Sequence, residues 1–417
     1  MTSLAKGRLI LYGRGLIAEE YCRYLEGRGR GGEIAAFAVT NLKGQGETYC
    51  GRPCMEIGEA LAKFPEAEVT LALQEKYHRE VLELLKGLGV IPKEIIGLHR
   101  MVELWGNQGI REISAACPEL TVSRNPYDYS MLKIVDKAHP ERRFTFYPMT
   151  QVPLPPEELE KLRHLVKIFP LEGKVDREAA GEVLFIAMAT SQKDAVVSQD
   201  TLPAYVHSVL GGAVRYTGPR SGEIYYDDEH TDNISAYNNL YSELTVAHWL
   251  WQKAPKANYL GLCHYRRHFV LTEELKKKLA AGTVDVLLTT PRLTFPSVHT
   301  YFAELPVTTM DEIDFQVMLD FIEKADSELA EFARDYLEKQ IHFPNNMLIA
   351  KREIYLAYCR FMFGVLRGMQ RKYDGAGIKR PDRYLGYVGE LLTTVYFAYH
   401  CDRWRTEYID YELLREI

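Results

Sequence analysis

The sequence predicts an α/β protein of more than one domain, and three observations carry this. Residues 7–100 alternate between short apolar runs of strand length and stretches with helical spacing. That alternation stops near residue 101 and restarts at Glu182 with a long apolar run. At 417 residues, the chain is also too long for one ordinary core. Strands that alternate with helices pair in parallel, with the helices covering the sheet faces.

The elements follow in order. Strands are predicted at 8–12, 33–39, 68–73 and 94–97, with helices at 16–26, 57–63 and 77–87 between them. Residues 101–180 contain Asn125-Pro126, His139-Pro140 and Pro153-Leu-Pro-Pro156, then a charged helix from Glu157 to Lys167. This stretch reads as a partly ordered connector with its boundary near 180. The resulting domains are 1–115, a connector over 116–180, and 181–417.

In the second domain, Val183–Thr190 is a long apolar strand, followed by the acidic aromatic loop Tyr225–His230. A helix is predicted from Ala236 to Lys253, with Leu240, Leu244, Ala247, His248 and Trp251 at buried-face spacing. Tyr259–His264 and Asp285–Thr290 are strands with a lysine-rich helix between them, and Pro291-Arg292 closes the second. Acidic helices are predicted over 311–324 and 326–339. A strand at Asn346–Ala350 and helices over 352–372 and 383–400 complete the domain.

Bulk composition excludes several classes. The chain is 47% hydrophobic and 26% charged, as soluble globular proteins are, and its net charge of −6 argues against a nucleic-acid binder. No run approaches the ~20 apolar residues that cross a bilayer, and the N-terminus lacks a signal-peptide core. The seven cysteines are scattered, odd in number and without a CxxC, which fits a reducing cytoplasm rather than zinc or a disulfide framework.

The first βα turn, Gly13-Arg-Gly15-Leu-Ile-Ala18, has glycines where a tight turn lets a phosphate approach a helix N-terminus. A NAD site needs an acidic residue after the second strand, but Val39-Thr40-Asn41 stands there. With Phe37–Asn41, Gly51-Arg-Pro53 and Val69–Leu73, this block resembles the Rossmann-like N-terminal domain of sugar O-acyltransferases. It is either a weak nucleotide site at Gly13 and Gly15 or a structural or partner-binding remnant.

Four islands in the second domain carry a closer resemblance: Thr231–Ser235 with Tyr241–Thr245, Tyr259–His268, Asn345–Ile349 and Gly386–Leu392. Over about 182–400 they resemble the bacterial domain-of-unknown-function family 4422. The resemblance implies a GT-A-like glycosyltransferase of capsular or O-antigen polysaccharide synthesis, a class that includes galactofuranosyltransferases. Its implied partners are a nucleotide-sugar donor and a glycan acceptor, with peripheral association to membrane-bound acceptor or assembly enzymes. One departure is Ser191-Gln-Lys193, where the family has a His-Lys-type pair.

GT-A enzymes place the donor at the C-terminal ends of parallel strands, and most hold its diphosphate with a metal on an Asp-x-Asp. This chain has no Asp-x-Asp. In the expected place stands His264-Tyr265-Arg266-Arg267, whose fixed cations can neutralise a leaving diphosphate without metal or other cofactor. On a continuing strand, His264 and Arg266 share one face, and Tyr265 and Arg267 the other. Donor contacts are also expected from Asn233 and Thr190, and acceptor contacts from Asn345 and Asn346, although those asparagines equally suit an Asx turn.

Inverting transfer needs a general base, and the candidates are Glu390, Glu243 and Asp232. Each has a structural alternative: a helix N-terminal carboxylate, a solvated helix face and an N-cap respectively. Asp227-Asp-Glu-His230 is a second possible cation site, or simply an exposed acidic loop. A glycan- or partner-binding scaffold, or another sugar-nucleotide enzyme centred on Gly13–Ala18, remains the alternative to transfer.

Overall fold

A computed structural model describes residues 9–42, 46–168, 182–190, 202–304 and 310–414. The chain is α/β and divides into two compact units. The first takes residues 1–125, 129–132 and 147–159, and the second takes 126–128, 133–146 and 160–417. The expected domain border near 180 and the Ser191–Lys193 departure lie outside the described residues.

The first unit is Rossmann-like. Strands Arg52–Glu56, Ile34–Val39, Leu9–Tyr12, Glu68–Ala72 and Glu94–Ile96 lie side by side in that order, all parallel. Ile10, Ala36, Val69 and Leu71 pack one face against Val81 and Leu85 of helix His78–Gly87. Gly13 ends the first strand at φ +142°, where an added Cβ would meet the Ala72 carbonyl oxygen at 2.2 Å. Chain packing alone therefore demands glycine there.

Part of the expected connector is ordered differently. Leu98–Ala116 is a 19-residue helix, and short strands form at Leu120–Arg124, Leu132–Asp136 and Arg143–Phe146. The helix was hidden by two glycines that weaken its pattern. Both have packing reasons: a Cβ on Gly106 would strike the Arg124 guanidinium at 1.9 Å, and one on Gly109 would meet Leu132 at 3.0 Å.

The second unit holds the larger sheet. Val206–Leu210, Glu182–Thr190 and Ala257–His264 run parallel in that order. Leu348–Lys351 follows antiparallel, then Val286–Thr289 and Thr406–Ile409, parallel to each other. This mostly parallel sheet gives the second unit the α/β architecture expected. Helices Leu244–Lys253, Arg352–Gly375 and Tyr384–Tyr399 supply the apolar residues covering one face, and Glu273–Ala280 lies on the other. Gly261 sits on the central strand because an added Cβ would come within 2.8 Å of Ile349 on the neighbouring strand. Among the described residues no helix is long and apolar enough to cross a membrane.

Candidate active site

The central strand Ala257–His264 does not continue through the arginines. It ends at His264, Tyr265 and Arg266 form a tight turn, and Arg267–Phe269 returns antiparallel with His264 opposite Arg267. Paired residues on antiparallel strands project to the same side, so His264 shares its face with Arg267, not with Arg266 as a continuing strand requires. The turn is tied down by Tyr265 N–H donating to the Ala189 carbonyl at 3.1 Å. Strand Tyr411–Leu413 pairs with the return strand, fixing Arg267 from its other edge. The Arg266 guanidinium lies 4.9 Å from the Tyr265 ring centroid.

The antiparallel neighbour brings the asparagines in. Leu348 pairs with Leu262, and continuing that register sets Asn346 level with His264. Asn345 and Asn346 both adopt positive φ, +72° and +53°, which asparagine tolerates better than most residues. The turn aims Asn346 inward: its Nδ2 donates to Glu243 Oε1 at 2.7 Å and to the Gly386 carbonyl at 3.0 Å. The expected single helix 236–253 is broken at Ser242, φ +50° and ψ −130°, and this break turns Glu243 out of the helix and towards Asn346. Glu243 is therefore not a solvated helix-face residue.

Glu390 completes the cluster. It lies in the second turn of helix Tyr384–Tyr399, too deep to serve the helix N-terminus. Burial, helped by the nearby Glu243 carboxylate, pushes its pKa up to about 7, even though Arg292, the Asn345 backbone N–H and Arg267 pull the other way. His264 is driven the opposite way by burial, to about 4, so it is neutral at physiological pH. Its Nε2 is buried with no hydrogen-bond partner among the described residues.

Two cations act on Glu390. Arg267 is half-buried, and its guanidinium makes no hydrogen bond or ion pair among the described residues. Arg292 is 9% exposed, and its one hydrogen-bond partner there is the Tyr301 hydroxyl at 3.4 Å. Burial opposes its charge, but Tyr301, Tyr411 and Glu390 outweigh that and raise its pKa. The neighbouring His342 is fully buried and held neutral by burial and by the Arg292 charge. Sequence reasoning passed over Arg292 as the close of a strand. The signal was a lone cation inside the otherwise uncharged run 286–298.

Among the described residues no hydrogen bond joins Asp232, Asn233 or Thr190 to this cluster. Asp232 is exposed and pairs with Arg367 at 2.9 Å. Asn233 closes its own turn, donating to the His230 carbonyl at 2.7 Å and accepting from Ser235 N–H at 3.2 Å. Thr190 ends its strand buried, with its hydroxyl donating to the Val209 carbonyl at 3.1 Å. Gly13 and Gly15 belong to the first unit. The acidic loop spends its carboxylates on protein donors. Asp227 takes Gly212 and Ala213 N–H and the Ser235 hydroxyl, Asp228 pairs with Arg220, and Glu229 takes Tyr226 N–H and Trp249 Nε1–H.

A buried and a half-buried cation without carboxylate partners, a neutral imidazole and a carboxyl poised near neutrality make an arrangement chemically suited to an anion with a proton acceptor beside it. Among solved structures, the chain is similar to an apo structure titled WbbM bifunctional glycosyltransferase, at 18% identity and a TM-score of 0.47. The similarity covers 56% of this chain and 45% of that one, so the chain spans under half of that protein's length. No curated protein sequence matches. The model of the family described as domain of unknown function DUF4422 matches residues 187–401, just over half of the chain and all of the carboxylate–arginine cluster except Tyr411. The chain belongs to the DUF4422 family.

Proposed function

We propose that the chain is a glycosyltransferase that moves a sugar from a nucleoside-diphosphate donor to a glycan acceptor, with arginines in place of a metal. The observation that carries this is Arg267 and Arg292, cations without carboxylate partners that both lie close enough to Glu390 to lower its pKa. Leaving a guanidinium buried and unpaired is costly, and a diphosphate offers the missing partner. In the step proposed, the acceptor hydroxyl gives its proton to Glu390 as its oxygen bonds to the anomeric carbon. The bond from that carbon to the diphosphate breaks, and its electron pair leaves on a phosphate oxygen that the arginines neutralise. Glu243, held by Asn346, keeps a second negative charge nearby and so keeps Glu390 basic.

The family resemblance makes UDP-galactofuranose the first donor to test, and surface polysaccharide assembly in the cytoplasm the setting. UDP release from a UDP-sugar without acceptor is expected of the wild type, insensitive to EDTA. It should fall about 10²–10³-fold in Arg267→Ala and in Arg292→Ala. Full activity in both variants overturns the clamp. Loss on EDTA that Mn²⁺ restores overturns the metal-free form. A wild type that releases UDP from no donor leaves the scaffold as the answer.

A further inference from the structure

A cavity of about 240 Å³ opens where helix Tyr384–Tyr399 begins, apart from the carboxylate–arginine cluster. Part of its wall is tied together by hydrogen bonds and ion pairs. Tyr373 and Tyr384 donate their hydroxyls to the fully buried Asp314 at 2.5 and 3.1 Å, and Arg380 pairs with Asp314 and with Asp311. Gln370 accepts the Tyr241 hydroxyl on Oε1 at 2.9 Å, which fixes its amide and leaves Nε2 as the donor. Gln370 Nε2, the Asp374 carboxylate and the Lys379 ammonium have no protein partner among the described residues.

We propose that this cavity is an acceptor subsite for one neutral hexose unit of the glycan chain. The chemistry selects that class. A sugar hydroxyl both donates and accepts, and the cavity offers donors on Gln370 and Lys379, an acceptor on Asp374, and tyrosine rings between them. Arg380 and Lys379 stand against Asp311, Asp314 and Asp374, two positive charges against three negative ones, so the cavity disfavours an anion where the transfer site favours one. The inference rests on the transferase proposed above, because a path links the two places. Arg383, whose N–H donates to the carbonyl of the cavity residue Asn239, lies over the Tyr387 ring. Tyr387 and Glu390 then follow at helical spacing on the same face, and six residues from Tyr384 to Glu390 are about 9 Å of helix axis.

The test is saturation-transfer NMR of methyl β-galactopyranoside with the full chain and no donor. Saturation on the sugar ring protons is expected of the wild type and of Glu390→Gln. Asp374→Ala and Lys379→Ala change exposed side chains, and each should bind about tenfold more weakly with an unchanged melting temperature. No saturation in the wild type overturns the subsite. So does wild-type binding by both variants, or loss confined to Glu390→Gln, which would put the sugar at the transfer site. Because binding is read without donor, loss of the transferase assignment in the UDP-release assay leaves this result standing, and the reverse holds too.

Discussion

Glu390 couples activity and stability in opposite directions. Its pKa of about 7 in the folded chain stands well above the ~4.3 of an unfolded glutamate. Between those values the folded state holds a proton that the unfolded state has lost, so stability falls as pH rises from about 4.3 to 7. The base form needed for transfer appears over the upper part of that window, so the transfer rate should climb through pH 7 and level off above it. Glu390→Gln is expected to lower the rate about 10²–10⁴-fold and to flatten that profile. The same variant should gain about 1–3 kcal/mol in urea unfolding at pH 8 and little at pH 5. Equal stability at both pH values would show that the carboxyl is not held protonated. Glu390 was legible in the sequence as a carboxylate behind a glycine-flanked turn. Its neighbour Arg292 was not, because the approach of a helix residue to a strand residue about a hundred positions earlier is not written in local spacing.

At the scale of elements, the site depends on an interrupted helix. The apolar spacing from Leu240 to Trp251 fits one continuous helix, and nothing in that pattern marks the break at Ser242. A serine at φ +50° and ψ −130° carries strain, which tertiary contacts sustain. Ser242→Gly should therefore stabilise the chain by about 1 kcal/mol in denaturant unfolding. Ser242→Pro cannot reach positive φ. It should release Glu243 from Asn346 and reduce UDP release, and if donor hydrolysis stayed unchanged, Glu243 would have no part in the site. Elements with strong periodicity, such as Ile57–Lys63 and Arg352–Gly375, were readable within a few residues. The two-residue strands and the return strand after Arg266 are too short to leave a period.

For the second unit as a whole, one ion cluster anchors three neighbouring strands at the end away from the site. Asp285 takes Arg405 Nε at 2.8 Å and Lys351 Nζ at 2.7 Å, from the residues flanking Val286–Thr289, Leu348–Lys351 and Thr406–Ile409. Burial alone would raise Asp285, but its bonds to Arg405 and Lys351 outweigh that and hold it at about 2. Its contribution is thus complete above the unfolded value near ~3.9 and is lost as pH falls through about 2. Asp285→Asn should cost about 3–5 kcal/mol at pH 7, because Arg405 stays buried without its anion. The loss should shrink towards pH 2, which acid unfolding curves of the two proteins would reveal.

The hairpin at Tyr265–Arg266 also bears on the order in which the chain assembles. The central strand takes its neighbours from residues 182–190 and 348–351, and Arg267 is seated by residues 411–413. Contacts this distant in sequence form late, because each closes a long loop before it returns any free energy. The cation at the strand tip is therefore among the last parts to settle, and a nascent or half-folded chain offers an anionic ligand no finished place to bind.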